Sequence, residues 1–445
     1  MATPAVTTTR LPIATELPEA RRETRSLAFS LARRGLMAVL LAAPLAFGAV
    51  EPWAWAALLS ASFVLLTLWT IGSARQGELK VRLSPLYLPA GLFLALAVAQ
   101  LCAGATLDAY ATRESILKLV MALVIFFVAG QVFARAPGNA WKELGLFVTL
   151  YAFALGLFAI LQFFSGHNLI YWSVRSPGWT FGPYVNHNDY AGLMEMLVPV
   201  AAGYALSRPR PDHRRALLAF ALPLPVASAL LSGSRGGFVS LLVEALVFGW
   251  ILWRRSGGSG SRVRAMLPMG LAAAALLFFW MAPNRVVRRL EALATATRAT
   301  RITLEQRELA ARDTLRIFRD YPWLGIGLGS FNTAFSQYRS FPTDLGWAHA
   351  HNDYAEALAE TGLAGGALIA LALAMFFGLT FRDLPAGRRD AAGWIRLGAA
   401  VGCCGLLVHS LVDFNLHIPA NALWFAVCVA LATAGRQERR DISVM

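Results

Sequence analysis

The chain has 445 residues, of which 57% are hydrophobic and 15% are charged, and its formal net charge is +14. This composition is too apolar for a soluble protein with a normal surface, so it excludes an ordinary soluble enzyme or binding module. The positive charge alone would suit a nucleic-acid partner, but the basic residues are concentrated in alternate loops, which argues against one. All four cysteines lie in apolar segments, and they indicate no disulfide framework.

Residues 1–34 are polar and lack the pattern of a signal peptide, so we expect a disordered tail on the cytoplasmic side. The remaining residues contain twelve apolar windows. Because a spanning helix needs about 20 mostly apolar residues, these windows predict an all-α polytopic membrane protein with about twelve transmembrane helices. The windows are Gly35–Val50, Trp53–Ile71, Pro85–Ala103, Ser115–Phe133, Leu144–Phe164, Asn188–Ser207, Arg215–Leu231, Gly237–Trp253, Ala265–Ala282, Tyr354–Phe381, Gly393–Val412 and Ile418–Ala434.

The basic residues indicate the orientation of these helices. When loops are assigned alternately with the N-terminus inside, the short outside loops hold only Arg113, Arg175 and Arg235. This positive-inside asymmetry predicts that both termini are cytoplasmic. We expect nine helices in residues 35–282, a large outside loop in 283–350, three helices in 351–434 and a cytoplasmic tail in 435–445.

The pentapeptide HNDYA occurs twice, at His187–Ala191 and at His351–Ala355, each time between a polar stretch and an apolar run. Asparagine or aspartate at such a boundary predicts a helix N-cap. A histidine there tends to be neutral, since the helix dipole disfavours positive charge, and a neutral imidazole can accept a proton. The simpler alternative is that Asn or Asp only caps the helix and that the histidine only fills space at the membrane interface. The topology places both copies on the outer face, which favours a shared site.

Arg235 lies in the outside segment Ser232–Gly237, among glycines and serines. Such small neighbours allow a phosphate group to approach the guanidinium, whose fork geometry suits it. The alternative is that the side chain only extends to the lipid headgroups.

The large outside loop contains a predicted amphipathic helix that ends at Pro322. Its apolar stripe is predicted from residues at helical spacing, which are Leu304, Ala311, Leu315 and Phe318. Binding to anionic lipid is an alternative role for such a helix. The GIGLGS run that follows lacks the context of a nucleotide-binding loop, so we expect a turn packed on membrane helices.

At these residues the chain resembles the O-antigen ligase and polymerase superfamily of bacterial inner-membrane glycan transferases. The resemblance covers about residues 186–421. Its most specific element is the ligase signature, in which His351-Asn352 is followed after nine residues by Gly362 and then, two residues later, by Gly365.

Three further elements are similar to the family pattern. Ser232–Gly236 is similar to its Ser-Arg-Gly element. Arg307 precedes Pro322 by fifteen residues, as an arginine usually precedes the Pro-Leu-Leu-Gly-x-Gly turn. His409–His417 with Pro419 resembles its closing histidine and aspartate motif. The first HNDYA copy matches a weaker family element and lacks the following Gly-x-x-Gly.

The resemblance implies a GT-C-like membrane fold, with the active face in the periplasm. It implies an undecaprenyl-diphosphate-linked glycan as donor and a sugar hydroxyl as acceptor, with inversion of the anomeric centre and no metal or other cofactor. The sequence agrees with the expected absence of a metal, because it shows no obvious carboxylate cluster that would bind Mg²⁺. The acceptor is lipid A core in a ligase, another lipid-linked glycan in a polymerase, or a protein in an O-oligosaccharyltransferase. The motifs leave these open.

The resemblance and the residue chemistry together suggest roles. We expect Arg235 and Arg307 to hold the diphosphate, since arginine stabilises developing phosphate charge. His351 is expected to accept or orient the proton of the acceptor hydroxyl. Residues expected to bind substrate or to orient His351 are His187, Asn188, His349, Asn352, Asp353, Asp413 and His417.

Two other classes compete with this interpretation. A multi-pass transporter of a polar solute would suit twelve helices, but the polar clusters lie at one face and not at the membrane midplane. A purely structural membrane protein would leave the histidines and arginines of the outer face unexplained.

Overall fold

The computed structural model describes residues 19–75, 79–134, 136–166, 168–176, 178–207, 217–218, 221–255, 304–342, 347–382, 390–434 and 441–444. The α-helices of these residues are α1 (Glu19–Leu45), α2 (Pro52–Ala74), α3 (Tyr87–Cys102), α4 (Ala109–Ala134), α5 (Gly138–Ser165), α6 (His187–Leu206), α7 (Pro223–Leu231), α8 (Arg235–Arg255), α9 (Leu304–Asp320), α10 (Phe331–Tyr338), α11 (Asp353–Phe381), α12 (Ala391–His409) and α13 (Pro419–Thr433). Short 3₁₀ helices lie at Phe47–Ala49 and Asn415–His417. Two antiparallel strand pairs join β1 (Leu79–Arg82) to β4 (Asp441–Val444) and β2 (Leu169–Ile170) to β3 (Val174–Arg175).

Most helices have the length and composition of membrane spans. Within the described residues, seven helices are long and apolar enough to cross a membrane, and two shorter apolar helices, α3 and α13, accompany them. The chain is therefore an all-α multi-pass membrane protein, as predicted. The predicted window Ala265–Ala282 lies outside the described residues, and α7 covers only nine residues of the window before α8. Twelve spans remain a prediction.

The first helix begins earlier than the sequence suggested. Residues 1–34 were expected to form a disordered tail, but α1 begins at Glu19, and its membrane-length part is Leu27–Leu45. The arginine pair at 33–34 does not end the helix. Arg34 places its Nε 3.3 Å from Oε1 of Glu143 on α5, so a charged side chain is accommodated at the bundle surface.

The helix that begins at the first HNDYA copy lies at the centre of the bundle. α6 packs along α12, and it also contacts α5, α7, α8 and α13. Glycines of α12 make this close approach possible, because a Cβ at Gly398 would overlap the backbone of Pro199, and one at Gly402 would press on Met196. The N-terminal end of α6 is therefore held firmly beside the C-terminal end of α12.

The described part of the segment before α11 has a small hydrophobic core of its own. Its buried side chains come from α9, α10 and the segment before α11, and they include Ile317, Phe331, Phe335 and Trp347. Ala359 of α11 belongs to the same core. The loop therefore packs onto the start of the helix that carries the second HNDYA copy.

The predicted amphipathic helix is confirmed as α9, but its buried face is not the predicted one. The buried residues are Ala310, Asp313, Thr314 and Ile317, whereas Leu315 of the predicted stripe is 41% exposed. A polar requirement sets this rotation: the buried carboxylate of Asp313 accepts hydrogen bonds from the backbone N–H (2.8 Å) and hydroxyl (2.9 Å) of Ser340.

A break in α11 joins the loop to the bundle. Gly362 has a φ of 61°, and a Cβ there would overlap the backbone of Trp323. The turn after α9 fills this break with main-chain hydrogen bonds: Leu363 N–H donates to Pro322 (2.8 Å), and Ile326 N–H donates to Ala359 (3.0 Å). The turn at Pro322–Ile326 and the break at Gly362 therefore bind each other, and we call this contact the joint.

Candidate functional site

His351 lies just before α11, beside the segment that joins α12 to α13. Its φ of 52° is in the left-handed region, and its side chain is only 9% exposed. The ring stands edge-on to Trp347 (5.3 Å between centroids) and to Phe414 (4.9 Å). Nδ1 lies 3.2 Å from Oδ1 of Asp413. When the neutral imidazole donates a hydrogen bond from Nδ1–H to this carboxylate, Nε2 is the nitrogen with a lone pair.

Asp413 connects His351 to Arg307. Its carboxylate is fully buried, and Oδ2 lies 3.5 Å from Nη1 of Arg307, which also donates to the carbonyl of Val412 at 2.8 Å. Burial would raise the pKa of Asp413, but the hydrogen bond from His351 and the charge of Arg307 hold that pKa well below its usual range. An ionised aspartate therefore fixes both the imidazole and the guanidinium.

A second group of titratable side chains lies beside His351, and we call it the histidine–carboxylate cluster: His349, Glu356 and His417. Oε1 of Glu356 lies 2.8 Å from Nδ1 of His349 and 3.3 Å from Nε2 of His417. His417 Nδ1 lies 2.8 Å from Oδ1 of Asp353. Burial alone would lower the pKa of His417, but the carboxylates of Glu356 and Asp353 raise it to about 10.

The N-cap of α11 is Asn352. Its side-chain oxygen accepts from the N–H groups of Tyr354 (3.1 Å) and Ala355 (2.9 Å), and its amide donates to the carbonyl of Leu411 at 2.9 Å. Asp353 N–H donates to the carbonyl of Ser410 at 2.9 Å. The start of α11 is thereby tied to the loop that carries Asp413.

The first HNDYA copy is built differently. Its N-cap is Asn186, which precedes the motif and accepts from Asn188 N–H at 3.0 Å. The His187 ring stacks on Trp179 with 4.3 Å between centroids, and Asn188 and Asp189 are buried. Asp189 interacts electrostatically with Asp413, Asp353 and Arg307. The two copies therefore converge, as the predicted topology requires, although their histidines have different surroundings.

Arg235 is the first residue of α8, and its side chain is exposed. The neighbouring small residues are closely packed: Gly236 lies against the His409 ring, and Gly233 lies against Trp179, the ring that stacks on His187. The guanidinium thus stands at the positive end of a helix, where an anion is favoured.

Two buried residues that the sequence analysis did not assign to the site support this turn. His409 Nε2 lies 3.3 Å from Oγ of Ser234, and Nδ1 lies 2.8 Å from Oε1 of Glu195. Ser234 Oγ also accepts from Gly237 N–H at 3.1 Å. Glu195 was recognisable as an ionisable residue inside an apolar window, which is a functional signal by default. Glu356 was also not predicted, although its position directly after the second HNDYA copy was a signal that could have indicated it.

Comparison with known families found a match. Residues 218–370 match the family profile described as O-Antigen ligase. The predicted resemblance is confirmed over this segment, which contains Arg235, Arg307 and His351. The match is shorter than the 186–421 suggested by the motifs. Comparison with curated proteins found no match.

The chain is a multi-pass helical membrane protein, and its segment 218–370, which is similar to the O-Antigen ligase profile, carries both arginines and His351. The match supports a glycan-transferring membrane enzyme that acts on lipid-linked glycans.

Proposed function

We propose that this protein transfers a glycan from an undecaprenyl-diphosphate carrier to a sugar hydroxyl at the periplasmic face of the bacterial inner membrane. The observation that carries the proposal is the chain of contacts from Arg307 through Asp413 to His351. It joins a group suited to the leaving diphosphate with a group suited to the attacking hydroxyl.

His351 acts as the general base in this proposal. Asp413 accepts a hydrogen bond from Nδ1–H, which leaves the Nε2 lone pair to receive the proton of the acceptor hydroxyl. The hydroxyl oxygen forms a bond to the anomeric carbon while the bond from that carbon to the diphosphate breaks. One displacement of this kind inverts the anomeric centre.

Arg235 and Arg307 bind the diphosphate. A guanidinium offers five N–H donors, and the described contacts of Arg307 commit its Nη1 to Val412 and Asp413. The other donors suit phosphate oxygens. As undecaprenyl diphosphate leaves, it gains negative charge, which two arginines stabilise without a metal ion. The transfer is therefore metal-independent in this proposal.

The acceptor side is formed by the remaining predicted residues. The side chains of His349 and His417 are each 27% exposed, so they can contact an acceptor sugar directly. Asn352 and Asp353 hold the start of α11 and position His351. Asn188 is buried, and His187 is positioned against Trp179 on the side of Arg235.

Glu195, His409 and Ser234 position Arg235. Their hydrogen bonds run from the buried interior to the turn that precedes α8. We expect Ser234→Ala to raise the KM for the lipid-linked donor and to leave the KM for the acceptor unchanged. A change in the acceptor KM alone would contradict this role.

The direct test uses purified full-length protein and a lipid-linked glycan donor. Arg307→Lys and Arg235→Lys keep a positive charge but lose the bidentate fork, so each should reduce transfer strongly. Arg312→Lys is the matched control, since Arg312 lies on α9 with its side chain 67% exposed and pairs with Glu308. Full activity of Arg307→Lys would remove Arg307 from the site.

The acceptor is identified by parallel assays in which lipid A core, a second lipid-linked glycan or a protein is supplied. Transfer to only one of the three assigns the protein as ligase, polymerase or O-oligosaccharyltransferase. Vesicles that accumulate a polar solute without any transfer would instead support the transporter alternative.

A further inference from the structure

The histidine–carboxylate cluster has the composition and geometry of a metal site. Nδ1 of His349, a carboxylate oxygen of Glu356 and Nε2 of His417 all lie within 4.8 Å of one another. Two imidazole nitrogens with one carboxylate oxygen form a ligand set that zinc accepts, with water in the fourth position. We propose that His349, Glu356 and His417 bind one divalent transition-metal ion of the zinc type.

The surroundings of the three ligands support the proposal independently. Metal-binding histidines usually donate their other ring nitrogen to a carboxylate or carbonyl, which fixes the tautomer. His417 has this arrangement once the ion replaces the Nε2 proton, because Nδ1 lies 2.8 Å from Asp353 while Nε2 faces Glu356. The second carboxylate oxygen of Glu356 accepts from the backbone N–H of Ala350 at 2.6 Å. Both ligands are therefore oriented by a second layer of hydrogen bonds.

The cluster has one buried ligand, and its two histidines are partly exposed. Glu356 is 1% exposed, whereas the side chains of His349 and His417 are each 27% exposed, so an ion and its water ligand can enter from the outer face. The His349 ring stacks on Phe414 at 4.5 Å, and its centroid lies 4.6 Å from that of His417. Phe414 also contacts His351. The metal site thus lies on the acceptor side of the proposed transfer site, and it does not include His351, Arg235 or Arg307.

The distances define how far the ligands must move. Tetrahedral zinc at about 2.0–2.1 Å from each ligand separates the ligand atoms by about 3.3 Å. The pair of Glu356 and His417 already has a 3.3 Å separation, and the pair of Glu356 and His349 must open from 2.8 Å. Nitrogen ligands favour zinc, copper or nickel over magnesium or calcium. The proposal assigns the ion no step in glycan transfer.

The experiment is a Zn²⁺ titration of the full-length protein, purified without a histidine tag and stripped with EDTA, and followed by calorimetry. We expect one Zn²⁺ per chain. Glu356→Gln should abolish this binding, and Asp353→Asn should weaken it by about 10–100-fold, the usual effect of losing an outer-layer carboxylate. Glu308→Gln, on exposed α9 surface, is the control and should bind as wild type does.

A second measurement needs no variant. Co²⁺ added to the stripped wild-type protein should give the visible absorption of a four-coordinate site, and Zn²⁺ should displace it. Zn²⁺ should also raise the unfolding temperature of the wild type but not of Glu356→Gln, since a ligand stabilises only the state that binds it. Wild-type protein that binds no Zn²⁺, or Glu356→Gln protein that binds it as tightly as the wild type, would overturn the proposal. Neither result depends on glycan transfer, so the proposed function is tested separately.

Discussion

The two HNDYA copies have the same sequence but different structures, and the residue before each copy explains the difference. Asn186 precedes the first copy and caps α6, so His187 becomes the first residue of the helix. Ala350 stands at the equivalent place in the second copy and has no side-chain acceptor. The cap moves to Asn352, and His351 stays outside the helix in the left-handed region, with its ring against Asp413. A motif therefore positions its side chains only together with its neighbours.

The comparison predicts unequal roles for the two histidines, and this is the largest expected effect. His351→Ala should lower kcat/KM for transfer by about 10²–10⁴-fold, the usual contribution of a general base. His187→Ala should lower it by less than about tenfold, since a residue that only supports binding contributes far less. Both variants are assayed with saturating and limiting donor, and thermal unfolding checks that they fold. Equal losses of kcat/KM in the two variants would contradict the unequal roles of the two histidines.

The aspartates sharpen the same contrast. Asp413→Asn removes the carboxylate that fixes the His351 tautomer, and kcat should fall by about 100-fold or more. Asp189→Asn changes a buried carboxylate of the first copy, which contacts Asn186 and no histidine in the described hydrogen bonds, and should cost less than about tenfold in kcat. If Asp189→Asn is the more damaging variant, the assignment of the base to the second copy is wrong.

The glycines that follow only the second copy should affect stability more than chemistry. Gly362→Ala places a Cβ against the backbone of Trp323 at a φ of 61°, and should lower the free energy of unfolding by about 1–3 kcal/mol. Gly378→Ala is the control, because Gly378 lies in the same helix and a Cβ added there would meet no atom within 4 Å. Chemical denaturation in detergent measures both. A neutral Gly362→Ala would show that the joint between loop and helix tolerates a side chain.

The smallest expected effect on stability comes from replacing the N-cap residues of α6 and α11. Asn186→Ala and Asn352→Ala should each cost about 0.5–2 kcal/mol of stability. Only Asn352→Ala should also reduce transfer, because Asn352 links α11 to Leu411 in the segment before Asp413. The ratio of activity loss to stability loss, measured on both variants, separates the caps. The same ratio for both would indicate that the cap at Asn352 does not position His351.

The sequence was sufficient for features that depend on local pattern. Apolar windows predicted the multi-pass helical class, which is confirmed, and apolar residues at helical spacing between residues 304 and 318 predicted α9. The motif spacing predicted the O-antigen ligase resemblance, which is confirmed over residues 218–370. These signals are local in the chain, so they can be detected without coordinates.

Features that depend on contacts between distant segments were not predicted. The buried face of α9 is set by Ser340, whose N–H and hydroxyl satisfy Asp313 from outside the helix. The helix α1 begins at Glu19, and its first turns carry polar and basic residues, which an apolar window does not detect. The histidine–carboxylate cluster joins His417 to Glu356 across the loop and two helices, so no spacing rule indicates it.

The joint at the break in α11 has a consequence for how this sequence can change. The hydrogen bonds that hold the Arg307-bearing loop to the His351-bearing helix are mostly between main-chain atoms, and Gln100 adds side-chain bonds to the carbonyls of Leu324 and Glu360. Main-chain bonds do not depend on the identity of the side chains. We therefore expect that Trp323, which is 72% exposed, can be replaced without changing the spacing between His351 and Arg307.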